Sequence, residues 1–226
     1  MSTFVLVHGA WHGGWCWDRV AGRLRHDGHE VLTPTLAGAE AGAPTASAVG
    51  LRDHVDQVVA LLRDGDLRDV VLVGHSYAGL VVREVADREP DRVAELVLVD
   101  AWVGRDGDSL DSLAPEWFRT WIETNTSEGL IAIPAPGVVG ITEADDIAWV
   151  EPLLTAQPRR TFSEPTRLTG AVDTVPCRAV VCSPGNGIPF RTWAEEVAGS
   201  VIDVETGHDV MVTEPEQLTR FLTRAA

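Results

Sequence analysis

Three short runs of the chain, FVLVHG (Phe4–Gly9), DVVLVG (Asp69–Gly74) and AELVLVD (Ala94–Asp100), are apolar almost without interruption and end at glycine or aspartate. A strand with one wet face alternates apolar and polar residues, whereas an unbroken apolar run of this length suits a strand buried on both faces. HEVLTPT (His29–Thr35), CRAVVC (Cys177–Cys182) and SVIDVE (Ser200–Glu205) add three more candidates. Between them lie stretches with helical spacing: Trp17–His26, Leu51–Arg63 with Val55, Val58, Val59 and Leu62 on one face, and Tyr77–Arg88 before Pro90. Two closing helices are expected near Thr192–Ala198 and Glu214–Arg224. This alternation predicts an α/β fold: a mostly parallel sheet covered by helices on both faces. The rhythm breaks from Trp102 to about Leu168, a stretch holding Trp117, Trp121, Trp149 and the Pro-rich IPAPG (Ile133–Gly137). We read residues 102–168 as an inserted helical cap, following the strand that ends at Asp100, within one domain of 226 residues. Such a cap lies over the sheet edge where open α/β sheets bind ligands.

Composition narrows the partners. The 34 acidic against 18 basic residues leave a net charge of -16, a field that repels phosphate backbones and anionic lipid. Nucleic acid and membrane surfaces are therefore not expected as partners, and a small molecule is; a homodimer stays open. No apolar run approaches the roughly 20 residues that span a bilayer. FVLV is too short for a signal-peptide core. Cys16, Cys177 and Cys182 are too few and too irregular for a disulfide framework, and free thiols suit a reducing cytoplasm. No His, Cys and acid set has metal-ligand spacing, so neither metal nor cofactor is expected.

The chemistry concentrates in three loops. VGHSYAG (Val73–Gly79) follows one strand and precedes a helix, the context in which G-x-S-x-G forms a sharp turn exposing a serine hydroxyl. Ala78 stands where the pattern has its last glycine, with Gly79 one position later. VHGAWHGGW (Val7–Trp15) also leaves a strand. A loop of this kind donates one oxyanion-hole N–H, and the residue after the nucleophile donates the other, which nominates the amides of Ala10 and Tyr77. His8 reads as a brace for the loop, and His12 as a residue able to reach the pocket. ETGHDVMVTEP (Glu205–Pro215) carries His208 between the last strand and the last helix. A serine first and the histidine last suits Ser76 as nucleophile and His208 as base. His26, His29 and His54 read as solvated.

These loops, with GHSYAG, ADDIAW…EPLLT (Ala144–Thr155) and GHDVMVTEP, resemble the α/β-hydrolase superfamily along essentially the whole chain. Within it the likeness is to the small methylesterase and hydroxynitrile-lyase group. The resemblance implies a mobile cap, a Ser–His–Asp triad and small ester-like or cyanohydrin-like substrates. Gly9 points to the esterase side, because the lyases carry threonine there. Two positions depart from the pattern. The triad aspartate of such proteins lies after the next-to-last strand, three residues past a C-T-x start and before G-I-P. In CSPGNGIP (Cys182–Pro189) that slot is Gly185, with Asn186 beside it. The residue after the histidine, apolar in the esterases and lysine in the lyases, is Asp209.

The acid therefore has to come from elsewhere. Asp100 ends the strand next to the nucleophile's strand and keeps the order Ser76, Asp100, His208; Asn186, Asp209 or no residue at all are the alternatives. The reading that follows is a serine esterase acting on a small, partly apolar ester. A lyase, dehydratase or cyclase using the same serine and histidine is the alternative, and a ligand-binding protein on this scaffold the third. Gly9, His12, Asp209 and the indoles of Trp102, Trp117, Trp121 and Trp149 are the expected substrate-binding residues.

Overall fold

A computed structural model describes residues 1–41 and 47–224 of the chain. In chain order its first half comprises β1 (Thr3–Val7), α1 (Asp18–His26), β2 (Glu30–Leu32), α2 (Leu51–Asp64), β3 (Val70–His75), α3 (Ala78–Arg88) and β4 (Val93–Val99). The stretch after β4 contributes α4 (Leu110–Leu113), α5 (Glu116–Thr124), β5 (Thr126–Ser127), β6 (Leu130–Ile131), α6 (Ala144–Val150), β7 (Gln157–Pro158) and α7 (Arg160–Ser163). The chain then returns through β8 (Cys177–Ser183), α8 (Phe190–Val197), β9 (Ser200–Glu205), α9 (Val210–Thr213) and α10 (Pro215–Leu222). Six strands form one parallel sheet in the order β2-β1-β3-β4-β8-β9.

The apolar runs are buried on both faces, and successive side chains divide between two cores as the period of two demands. Val5, Val7, Val70, Leu72, Leu96 and Leu98 pack with α2, α3 and α8. Phe4, Leu6, Val73, Val97 and Val99 face the other way, toward Val20 and Leu24 of α1 and Leu218 and Phe221 of α10. Local signals set the helix limits: the Asp53 carboxylate accepts from the Gly50 amide at the start of α2, and Pro90 follows the end of α3.

Strand order reverses between β1 and β3, since the chain runs outward to β2 before crossing back. Ligands in open α/β sheets collect at such a switch point, outside the carboxyl ends of the strands. The loop after β1 and the turn after β3 both open there.

Residues 102–168 lie between β4 and its sheet neighbour β8. They are not purely helical as expected: β5, β6 and β7 form a small antiparallel sheet. Its two-residue strands are too short to leave a periodic pattern, and the turn between β5 and β6 runs through Glu128 and Gly129, both at positive φ.

Candidate active site

The turn after β3 holds Ser76 at φ 52°, a left-handed conformation costing a non-glycine residue about 1–2 kcal/mol. Burial of Val70, Leu72 and Val73 in the same strand, worth about 1.5–3 kcal/mol each, offsets that strain. The tight turn also explains the flanking small residues. A Cβ on Gly74 would lie 2.5 Å from Val82 Cγ2, and one on Gly79 would lie 2.2 Å from the Trp102 carbonyl oxygen. Ala78, in contrast, is accommodated in the first turn of α3.

Three side chains from three strand ends meet at this point. Ser76 Oγ lies 2.8 Å from His208 Nε2, and His208 Nδ1 lies 2.6 Å from Asp100 Oδ2. The other carboxylate oxygen, Oδ1, accepts from the Cys182 amide at 3.0 Å. Asp100 itself sits at φ 43°, with its amide donating to Val180 O on β8. Two donors around one carboxylate fix its orientation, so Nδ1 of His208 carries a proton and Nε2 is free to accept from the serine. Burial disfavours a charge on His208, but the hydrogen bond and charge of Asp100, with a contribution from Asp209, outweigh it and raise the pKa above the ordinary histidine value. The ring of Phe190 stacks on His208, 5.3 Å between centroids and 8° between planes. Asn186 lines the cavity, but its Oδ1 accepts from the Ile188 amide, not from the histidine.

The loop after β1 faces the serine. Neither the Ala10 nor the Tyr77 amide donates to a protein acceptor among the described residues, and both residues line the cavity beside Ser76. His8 donates from Nδ1 to the Gly9 carbonyl and accepts at Nε2 from the Leu36 amide. That carbonyl belongs to the same peptide unit as the Ala10 N–H, so the hydrogen bond orients and polarises the donor. Burial keeps His8 neutral, its pKa lowered to about 3. Beyond Ala10, Trp11 is held at φ 65°; its amide donates to Gln157 Oε1 and its carbonyl accepts from the Thr155 amide, both in the inserted segment. Gly9 packs so closely that a Cβ there would lie 2.8 Å from His75 Nδ1 and 3.0 Å from Ser76 Cβ.

The cavity over these groups measures about 210 Å³. Its walls are aromatic: Trp102 stacks on Phe118, which stacks on Trp121, and Trp121 meets Trp11 edge to face. Trp117 stands at the mouth, 53% exposed. Phe118, Phe162, Phe190 and Leu110 are lining residues that sequence reasoning missed, since nothing in their spacing separates a pocket wall from core. Four expected binding residues are outside the cavity wall. Gly9 is packed against His75 and Ser76. Trp149 packs against Trp15 and under the Arg19 guanidinium, because α6 turns that face toward α1. His12 and Asp209 lie beneath the cavity, 3% and 0% exposed and paired with each other. His54 is not solvated: it is buried, donating to Ala37 O and accepting from the Tyr77 hydroxyl. Among the described residues, His75, His208 and Asp209 form a grouping tight enough for a metal. Nε2 of His75 is already spent on the His208 carbonyl, and both His208 nitrogens are engaged within the serine–aspartate chain, so these donors fit a proton network better than an ion.

A family model described as "Alpha/beta hydrolase family" matches residues 4–221. The chain belongs to the α/β-hydrolase family. It is 37% identical over 238 residues to a "Carbendazim hydrolyzing esterase" of a Nocardioides species, with 98% of each chain covered. It is 26% identical over 254 residues to Methylesterase 10 of Arabidopsis thaliana, covering 100% of this chain and 92% of that one. Among solved structures it is similar to an extracellular α/β-hydrolase from a Paenibacillus species, at TM-score 0.89 and 25% identity, covering 100% and 99% of the two chains. A methylesterase of Arabidopsis shares the fold at TM-score 0.80 and 20% identity, covering 98% and 97%. With an esterase relative aligned end to end, this α/β-hydrolase is a carboxylic ester hydrolase. No helix among the described residues is long and apolar enough to cross a membrane.

Proposed function

We propose that the chain hydrolyses a small ester bearing an aromatic or otherwise apolar group, through Ser76, His208 and Asp100. The observation that carries this reading is the continuous chain of two short contacts, 2.8 Å and 2.6 Å, from the serine hydroxyl to the aspartate. Ser76 Oγ attacks the ester carbonyl as His208 Nε2 takes its proton, and the Ala10 and Tyr77 amides hold the oxyanion. Collapse of the tetrahedral intermediate breaks the bond to the leaving alcohol, which receives the proton from His208. Water then adds to the acyl-serine, giving a proton to His208 on attack; that proton returns to Ser76 as the acid departs. Asp100 holds the imidazole tautomer and stabilises the imidazolium without itself taking the proton.

The aromatic walls support a flat, apolar substrate, and carbendazim, on which the Nocardioides relative is named, is a rational first compound. The three free cysteines fit a reducing cytoplasm. With an acid within reach of His208, the lyase alternative loses its main motive. A fluorophosphonate probe should label the wild type and leave Ser76→Ala unlabelled; an unlabelled wild type would reject the assignment.

A further inference from the structure

Asp209 is the feature the mechanism leaves unused. It is wholly buried, directly follows the base, and neither of its carboxylate oxygens enters a well-aligned hydrogen bond. A buried carboxylate in that condition is costly and calls for a reason. Its close partner is His12, whose Nε2 lies 3.0 Å from Oδ2. The other ring nitrogen of His12 lies 2.7 Å from the Ala10 carbonyl. Both nitrogens therefore face oxygen atoms, an arrangement that beside an ionised Asp209 favours a doubly protonated, cationic ring. His75 approaches Asp209 Oδ1 at 3.6 Å, but its Nε2 proton serves the His208 carbonyl. The ion pair thus bridges two parts of the site: one end abuts His208, the other clamps the loop that presents Ala10.

We infer that Asp209 is a positioning residue: as a buried pair with His12 it favours the imidazolium form of His208 and fixes the Ala10 loop. The inference rests on the Ser76–His208–Asp100 reading above. His208 faces Asp100 from the end of β4, His75 from β3, Cys182 from β8 and Asp209 with His12 below. Burial holds His75 neutral, its pKa lowered to about 3, and raises the thiols of Cys16 and Cys182, whose neutral forms the Asp209 charge also favours. Asp209, Asp100 and His12 are then the charges that act on the base. The charge of the Asp209 carboxylate outweighs the opposing charge of His12 at His208. Burial penalises the Asp209 carboxylate, yet the charge and contact of His12, helped by His75 and His208, hold its pKa down at about 2.

The test is the pH dependence of fluorophosphonate labelling at Ser76, which needs no known substrate and requires neutral His208. Removing Asp209 makes His208 less basic, so in Asp209→Asn the acid limb should move to lower pH. The plateau rate should fall by on the order of ten- to a hundredfold, the size of couplings within one hydrogen-bonded network. His12→Gln/Asp209→Asn, which leaves no lone buried charge, should lose no more than a few-fold beyond the single variant. A folded variant whose acid limb coincides with that of the wild type overturns the inference, even if its plateau drops, since a merely structural role moves only the plateau. In the wild type, nitrogen NMR should find the His12 ring doubly protonated at neutral pH; a neutral ring overturns the inference even if neither variant folds. Wild type that does not label overturns the serine reading itself, and the inference with it.

Discussion

Replacing Asp100 by asparagine tests the assignment of the acid with almost no change in shape. The carboxylate accepts two hydrogen bonds, from the Cys182 amide at 3.0 Å and from His208 Nδ1 at 2.6 Å. An asparagine side chain has one acceptor and one donor end, so it can satisfy only one of them. If its oxygen takes Nδ1, its NH₂ group opposes the Cys182 N–H, at a cost of about 1–3 kcal/mol for unsatisfied donors. If its oxygen stays on Cys182, the NH₂ group faces Nδ1 and drives the ring to the Nε2–H tautomer, which cannot accept from Ser76. Either way the imidazolium loses its counter-charge. In a serine protease with the same three roles, this substitution lowers turnover about four powers of ten, or about 5.4 kcal/mol at 1.36 kcal/mol per decade. We expect Asp100→Asn to lower kcat for a p-nitrophenyl ester by about four powers of ten, as in that protease. Asn186→Ala, which removes the side chain beside the usual acid slot, should change it less than about threefold, because Asn186 bonds only its own loop. Retention of more than about a tenth of wild-type kcat, one decade against the four expected, would refute the argument that Asp100 orients the base.

Three further substitutions separate roles that the sequence alone left merged. Gly9→Thr should abolish esterase activity and destabilise the fold, not convert the site to lyase chemistry, since its Cβ alone would press on the buried His75 ring and on Ser76 Cβ; product analysis with an ester and with a cyanohydrin, alongside a thermal melt, decides it. Trp121→Ala should raise KM for an aromatic ester by about tenfold or more, as an aromatic wall is lost. Trp149→Ala should leave KM unchanged and lower Tm instead, because that ring packs on Trp15 and Arg19 away from the cavity; a KM effect from Trp149 would contradict its placement.

What could be read from the chain was whatever is local or periodic. The sheet strands announce themselves because burial on both faces requires an unbroken apolar run, and the serine turn because its crowding excludes a side chain at Gly74 and Gly79. The small sheet of β5, β6 and β7, the depth of His54 and the separation of Trp149 from Trp121 depend on contacts between distant segments, which no spacing encodes. Asp100 lies between these cases. Residue order and strand adjacency were enough to nominate it, since β4 ends beside the nucleophile's strand and also pairs with β8. Choosing it over Asn186 required one distance, and that distance reinterprets CSPGNGIP. The segment that closes β8 no longer has to supply the acid, yet its first residue, Cys182, still within the strand, holds the Asp100 carboxylate through its amide. An aspartate at the end of β4 reaches the same histidine nitrogen from the neighbouring strand. The physical requirement is a carboxylate at Nδ1, held by a second donor and shielded from water; either strand end can meet it. A missing motif residue is thus weak evidence against the chemistry when an adjacent strand ends in the same functional group.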